Sequence, residues 1–86
     1  MYYTYVLRSL QNGVLYKGQT DDLKSRLLIH NSGLVSYSKR YLPWELVYFE
    51  EFETRAEALA REKFFKTGAG RDWLKRKLNE TTPEAP

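Results

Sequence analysis

Tyr3-Thr4-Tyr5-Val6-Leu7-Arg8-Ser9-Leu10-Gln11-Asn12-Gly13-Val14-Leu15-Tyr16-Lys17-Gly18 is the stretch whose reading decides the fold. Two short apolar and aromatic runs flank Asn12-Gly13, a dipeptide in which both residues tolerate positive φ and which therefore suits a tight hairpin turn. Folding the run on itself brings Tyr5 and Tyr16 into one small sheet. By the two-residue period, Tyr3 and Tyr5 share a face, as do Tyr16 and Gly18. Tyrosines in such a hairpin can simply pad a core, so the remainder of the chain has to decide what they do.

Working outward, residues 2–8 and 14–19 form the two strands. A helix then starts at Thr20-Asp21-Asp22, with Thr20 or Asp21 as the cap and acids in the first turn, and runs to about Asn31. Gly33 is a suitable left-handed terminator. Leu23, Leu27 and Leu28 form its apolar stripe, and Arg26 and His30, four apart, lie on one face. Residues 34–44 read as a loop. Trp44 to Phe52 is a third strand, apolar on both sides, with Trp44, Leu46 and Tyr48 on one face and Val47 and Phe49 on the other. Such a strand is central or covered by helices. Thr54-Arg55-Ala56-Glu57 is a capping box that opens a helix to about Lys66, with Ala56, Leu59, Ala60 and Phe64 inward. Gly68-Ala69-Gly70 breaks it, and a short basic helix follows from Arg71 to Leu78, held by Trp73, Leu74 and Leu78. The order is β-β-α-β-α-α: an α+β fold with a three-stranded, mainly antiparallel sheet flanked by helices. Residues 1–80 form a single domain, and the polar tail, frayed from Asn79 and flexible over 81–86, carries two prolines.

Composition narrows the function. The 86 residues contain no cysteine, which excludes thiolate metal centres and disulfides. No apolar run approaches a membrane span, and the chain enters a strand at once where a signal peptide would stand, so a cytoplasmic protein is expected. The net charge of +3 is unevenly spread: residues 1–44 carry six Lys/Arg and two acids, 45–60 one base and five acids, and 61–78 seven bases and two acids. Basic segments around an acidic middle suit an anionic polymer on one face, or an ordinary solvated surface.

Tyr3-Thr4-Tyr5, ten residues, then Tyr16-Lys17-Gly18 resembles the paired signature of the GIY-YIG endonuclease superfamily, in the small stand-alone bacterial form similar to the UvrC N-terminal catalytic domain. The resemblance covers nearly the whole chain. Arg26 stands eight residues past the motif glycine, where the superfamily places an arginine, and His30 stands one turn later. Arg61-Glu62-Lys63-Phe64-Phe65-Lys66 looks like the helix whose glutamate binds a single divalent metal. The resemblance thus implies hydrolysis of phosphodiester bonds in DNA with one Mg²⁺ or Mn²⁺ ion, with Tyr5, Tyr16, Arg26, His30 and Glu62 as catalytic positions. The sequence departs from the pattern at Tyr3-Thr4, at Lys17 where isoleucine is expected, and in lacking a clear asparagine after the metal helix, although Asn79 is nearby.

Each residue also suits its task. A phenol has a pKa near ~10 and serves as a base only beside a cation; between the two candidates, Tyr16 is favoured over Tyr5. The planar fork of Arg26 matches phosphate oxygens, although it could instead pair with Asp22. Glu62 could hold the metal by one carboxylate or pair with Lys66 on the helix surface. His30 could position water, contact the leaving group, or be structural. Ala58, one turn before Glu62, is small enough to leave room for substrate. Lys17, which snorkels to an edge or sits near the phosphate, joins Arg26, Tyr37, Lys39 and Arg40 as expected nucleic-acid contacts, because Ser36-Tyr37-Ser38-Lys39-Arg40-Tyr41 interleaves cations with aromatics. Arg71, Lys75, Arg76 and Lys77 extend the electropositive face or are merely solvated. Superfamily members often draw specificity from an appended domain, so weak sequence preference, or selectivity for branched, nicked or single-stranded DNA in repair or recombination, is expected here, with a protein partner as a further source of specificity. Two other functions fit the same residues: a non-catalytic nucleic-acid-binding module on this fold, and a protein-interaction domain that offers its acidic 45–60 segment to a basic partner.

Overall fold

In this computed structural model, which describes residues 1–81, strand β1 (Tyr2–Ser9) lies between β2 (Leu15–Thr20) and β3 (Trp44–Phe52). Both pairings are antiparallel. Helix α1 (Leu23–Asn31) follows β2, and α2 (Arg55–Phe65) and α3 (Gly68–Thr81) follow β3, so the expected α+β order holds. No helix among the described residues is long and apolar enough to cross a membrane.

Helices cover both sheet faces, which explains why Thr4, Tyr5, Val6 and Leu7 of the central strand are all buried. On one face, Leu23 and Leu27 of α1 pack on Tyr5, Leu7 and Trp44. On the other, Val6 packs with Phe65 of α2 and Leu74 of α3. β3 is an edge strand, and these helices account for its two-sided apolar pattern. Its alternation is broken by a bulge: Val6 faces Tyr48 but Leu7 faces Leu46, leaving Val47 over. Tyr48 therefore packs in the Val6 cluster and not with Trp44 and Leu46 as the simple period implied.

The β1–β2 connection is wider than the expected two-residue turn. Only Gly13 takes positive φ, at +80°. Asn12 instead accepts from the Val14 amide through its side chain, and the Ser9 hydroxyl accepts from Gln11 and Asn12. These side-chain bonds satisfy the backbone that a tight turn would have paired.

Asp22, not Thr20 or Asp21, caps α1, accepting from the Ser25 amide at 3.1 Å, and no acid follows in the first turn. Leu28 is 64% exposed, outside the stripe assigned to it; His30 takes the buried position. Gly33 terminates the helix with φ +81° as expected. The loop beyond contains a short 3-10 turn over Ser38–Tyr41.

The capping box at Thr54 and Glu57 forms as read. The inward face of α2, however, is Ala58 and Phe65, whereas Ala56, Leu59 and Ala60 are exposed and Phe64 is half-buried. The Thr4 hydroxyl donates to the Ala58 carbonyl at 2.6 Å, which fixes this rotation. Ala58 is small so that the helix backbone can meet the sheet, and it leaves no room for substrate. The glycines at 68–70 do not interrupt a helix but form the first turn of α3. The Thr67 hydroxyl accepts from the Gly70 amide at 3.0 Å. A Cβ on Gly70 would overlap the Phe64 carbonyl, so the glycine permits the close α2–α3 corner. α3 continues through Thr81, past the point where fraying was expected; the remainder of the 81–86 tail lies outside the described residues.

Candidate active site

Tyr5 sits on central β1 directly opposite Gly18 on β2. Its ring lies across that glycine: a Cβ on Gly18 would fall 2.5 Å from the Tyr5 hydroxyl oxygen. The missing side chain lets the phenol run over the edge strand to α1, where Arg26 and His30 project from one helix face. Arg26 Nε donates to the Tyr5 hydroxyl at 3.4 Å, and His30 Nε2 is 3.0 Å from the same oxygen.

The chain of contacts continues inward. His30 Nδ1 is 2.9 Å from the Ser38 hydroxyl, which itself donates to the Val35 carbonyl at 3.4 Å. With Ser38 donating to Val35, Nδ1 carries the imidazole proton and Nε2 accepts the Tyr5 proton, so every group in the series is satisfied. His30 and Ser38 are both 0% exposed. His30 thus touches Tyr5 and Ser38, and meets no open surface from which to contact a leaving group. Ser38 falls within the run 36–41 whose cations and aromatics suggest nucleic-acid contacts; nothing in its local sequence marks it as the partner of a histidine eight residues upstream.

Tyr16 lies on the same face as Tyr5, its ring 6.3 Å from that of Tyr5 and 4.6 Å from the imidazole. It is half-buried, with Tyr37 from the loop beside it at 6.0 Å. Of the loop residues expected to meet nucleic acid, Tyr37 is therefore at the site, while Lys39 and Arg40 are exposed on the neighbouring 3-10 turn.

Burial dominates the electrostatics. It pushes the Tyr5 phenol up to about 12, outweighing the hydrogen bond from Arg26 that acts the other way. Burial, and then the Arg26 charge, hold His30 below its ordinary value, so the ring is neutral. Arg26 is pushed up chiefly by its bond to Tyr5, and its charge also reaches Tyr16. The pairing of Arg26 with Asp22 is not made; the Asp22 carboxylate is occupied by the Ser25 amide and hydroxyl.

Glu62 reaches the site from α2. The rotation that buries Ala58 and Phe65 also turns Glu62 inward, and its charge acts on the Tyr5 hydroxyl. Its Oε2 accepts from Lys66 Nζ at 2.8 Å, so the surface pairing does form, but on a side chain only 19% exposed. Among the described residues no three His, Asp or Glu side chains gather to hold a metal. An ion at Glu62 would therefore take one protein oxygen and fill its shell with water and phosphate. Hard cations of the Mg²⁺ type are commonly held this way, so the donor set fits.

Lys17 alternates to the opposite sheet face from Tyr16. It lines a cleft of about 340 Å³ with Tyr16, Tyr37, Lys66 and Arg71 that wraps the β2 edge. Burial first, then Arg71 and Lys66, hold its ammonium below the usual lysine value.

The family model described as GIY-YIG catalytic domain matches residues 1–79. A UPF0213 protein of Bacillus pumilus is 43% identical over 77 residues, covering 88% of this chain and 72% of that protein. A UPF0213 protein of Staphylococcus saprophyticus is 39% identical over 75 residues, covering 86% and 90% respectively. A UPF0213 protein of Streptococcus agalactiae is 43% identical over 65 residues, 74% of this chain and 73% of that one. No solved structure matches the chain.

Proposed function

This chain belongs to the GIY-YIG catalytic domain family, and on that premise we propose that it is an endonuclease hydrolysing phosphodiester bonds in DNA with one divalent metal ion, Mg²⁺ or Mn²⁺. The observation that carries this reading is the convergence on one phenol: Arg26 and His30 both bond the Tyr5 hydroxyl, Tyr16 lies alongside, and the Glu62 charge acts on it from another helix.

The roles follow from burial. Tyr5 holds its proton at all ordinary pH and is a positioning group, anchoring Arg26 through Nε so that the rest of the guanidinium fork faces the phosphate. That fork neutralises charge growing on the phosphate oxygens in the transition state. Tyr16, half-buried and within reach of the Arg26 charge, is the group that takes a proton from the attacking water. His30, neutral and enclosed, orients Tyr5. Glu62 is the residue that would hold the metal, which when bound would withdraw charge from the scissile phosphate. Lys17, Lys66 and Tyr37 receive the flanking strand.

Labelled duplex, single-stranded, flap and junction DNAs offered to the wild type, Glu62→Ala and Arg26→Ala test this. Cleavage that requires Mg²⁺ or Mn²⁺ and is lost in both variants is expected. Binding without cleavage, unaltered by Glu62→Ala, would leave a binding module on the same fold.

A further inference from the structure

On the sheet face away from Tyr5, the β1–β2 hairpin and α3 enclose a groove of about 490 Å³. Four cations line it: Arg8 and Lys17 from the strands, Arg71 and Lys75 from α3. Its floor is apolar, made of half-buried Leu15 and backed by the buried Leu74, with Val14, which also packs against the Tyr5, Leu7 and Trp44 cluster, at its hairpin end. Among the described residues no carboxylate lines it, and Glu45 lies 3.9 Å from Arg8 across the strands. Lys17 and Arg71 also line the cleft beside Tyr16, so the two recesses form one basic track around the β2 edge. Arg71 and Lys66 both act on the Lys17 ammonium with like charge, and of these Lys66 is paired with Glu62.

We propose that this groove is a second nucleic-acid site, which holds one unpaired nucleotide of the strand that leaves the reaction centre. Its phosphates meet Lys17, Arg71 and Lys75, and its base lies on Val14 and Leu15. The apolar floor is what selects an unpaired nucleotide. Phosphate alone would leave that surface in water, and a base-paired nucleotide keeps its faces on its neighbours and cannot lay one on the floor. The proposal rests on the nuclease reading, but it assigns a place and a ligand that the reaction centre does not require. The groove is built by the β1–β2 hairpin and α3, whereas the Tyr5 cluster draws on α1.

The full chain, isotope-labelled and kept in EDTA to prevent cleavage, is titrated with hexathymidylate and followed by amide chemical shifts. Shifts at Val14, Leu15, Lys75 and Asn79, together with those around Tyr16, are expected. An abasic oligomer of the same length should shift Lys75 but not Val14 and Leu15. Lys75→Glu should abolish the α3 shifts, weaken the oligomer about tenfold and lower the log–log salt slope by about 0.7 for the lost contact. Shifts confined to Tyr5, Tyr16 and Arg26 would overturn the groove while sparing the nuclease reading. Equal shifts from the abasic oligomer, from inorganic phosphate or from an acidic peptide would also overturn it, as a general anion site. No shift anywhere would remove both readings.

Discussion

The Tyr5 phenol occupies the space that a side chain on Gly18 would need, with the hydroxyl oxygen 2.5 Å from that Cβ position. The second motif glycine is thus the floor on which the first motif tyrosine rests. Gly18→Ala must displace a ring that is 1% exposed and bonded to two helix residues. Overpacking of this kind costs about 1–3 kcal/mol, and a displacement near 1 Å in a reacting group costs roughly 10²-fold in rate. Gly18→Ala is expected to fold with a lower urea midpoint and to lose cleavage out of proportion to that loss, mainly in kcat. Near-normal kcat would show that Tyr5 does not position the reacting groups.

Lys66 and an incoming cation compete for Glu62, because the ammonium already holds Oε2. Lys66→Ala is expected to lower the metal concentration for half-maximal cleavage several-fold, while raising KM for DNA, since Lys66 lines the cleft. A metal titration at saturating DNA separates the two effects. A metal requirement unchanged by Lys66→Ala, with cleavage still abolished by Glu62→Ala, would mean the pair opens without cost.

Ser38 sets the imidazole tautomer from the side opposite Tyr5. Ser38→Ala leaves a buried Nδ1–H without an acceptor, a cost of about 1–3 kcal/mol. Ser38→Thr keeps the hydroxyl. Urea denaturation should therefore rank wild type and Thr above Ala, and the His30 ring-nitrogen resonances should change in Ala alone. An Ala variant as stable as wild type, with unchanged ring resonances, would remove Ser38 from the series.

Stability should fall in mild acid. His30 titrates below its ordinary 6.5 in the folded chain, chiefly through burial. The unfolded chain therefore binds more protons as pH drops past about 6.5, and stability present above that value is progressively lost down to the depressed folded pKa. Urea midpoints measured from neutral pH into mild acid should decline in the wild type and decline less in His30→Gln. Asp22, whose carboxyl is held below its usual value by the Ser25 amide and hydroxyl, adds a loss only at more acid pH, as it protonates. Parallel pH curves for wild type and His30→Gln would contradict the assignment.

Much of this site was visible in the residues, because spacing on a strand or helix is a local property. Tyr5 and Tyr16 share a face by the period of two, and Arg26 and His30 share one by the period of four. Both relations held. The errors occurred where a distant contact overrode the local period. Tyr48 changed face because a bulge at Val47 intervened. α2 turned because Thr4 holds the Ala58 carbonyl, and Glu62 turned inward with it. Asp22 capped α1 in place of its neighbours because Thr20 completes β2 and donates to the Asp22 carbonyl.

By itself the sequence determined the order of elements, the helix-capping residues at Thr54 and Glu57, and the candidate chemistry of Tyr5, Tyr16, Arg26, His30 and Glu62. These depend on residue type and on separations of a few positions. Only the tertiary structure decided that Tyr5 is sealed and Tyr16 open, that Ser38 completes the histidine, and that Lys17 faces a basic groove behind the sheet. Burial and hydrogen bonding across 8 to 54 residues of chain set these features, and no local pattern encodes which distant groups will share a desolvated space.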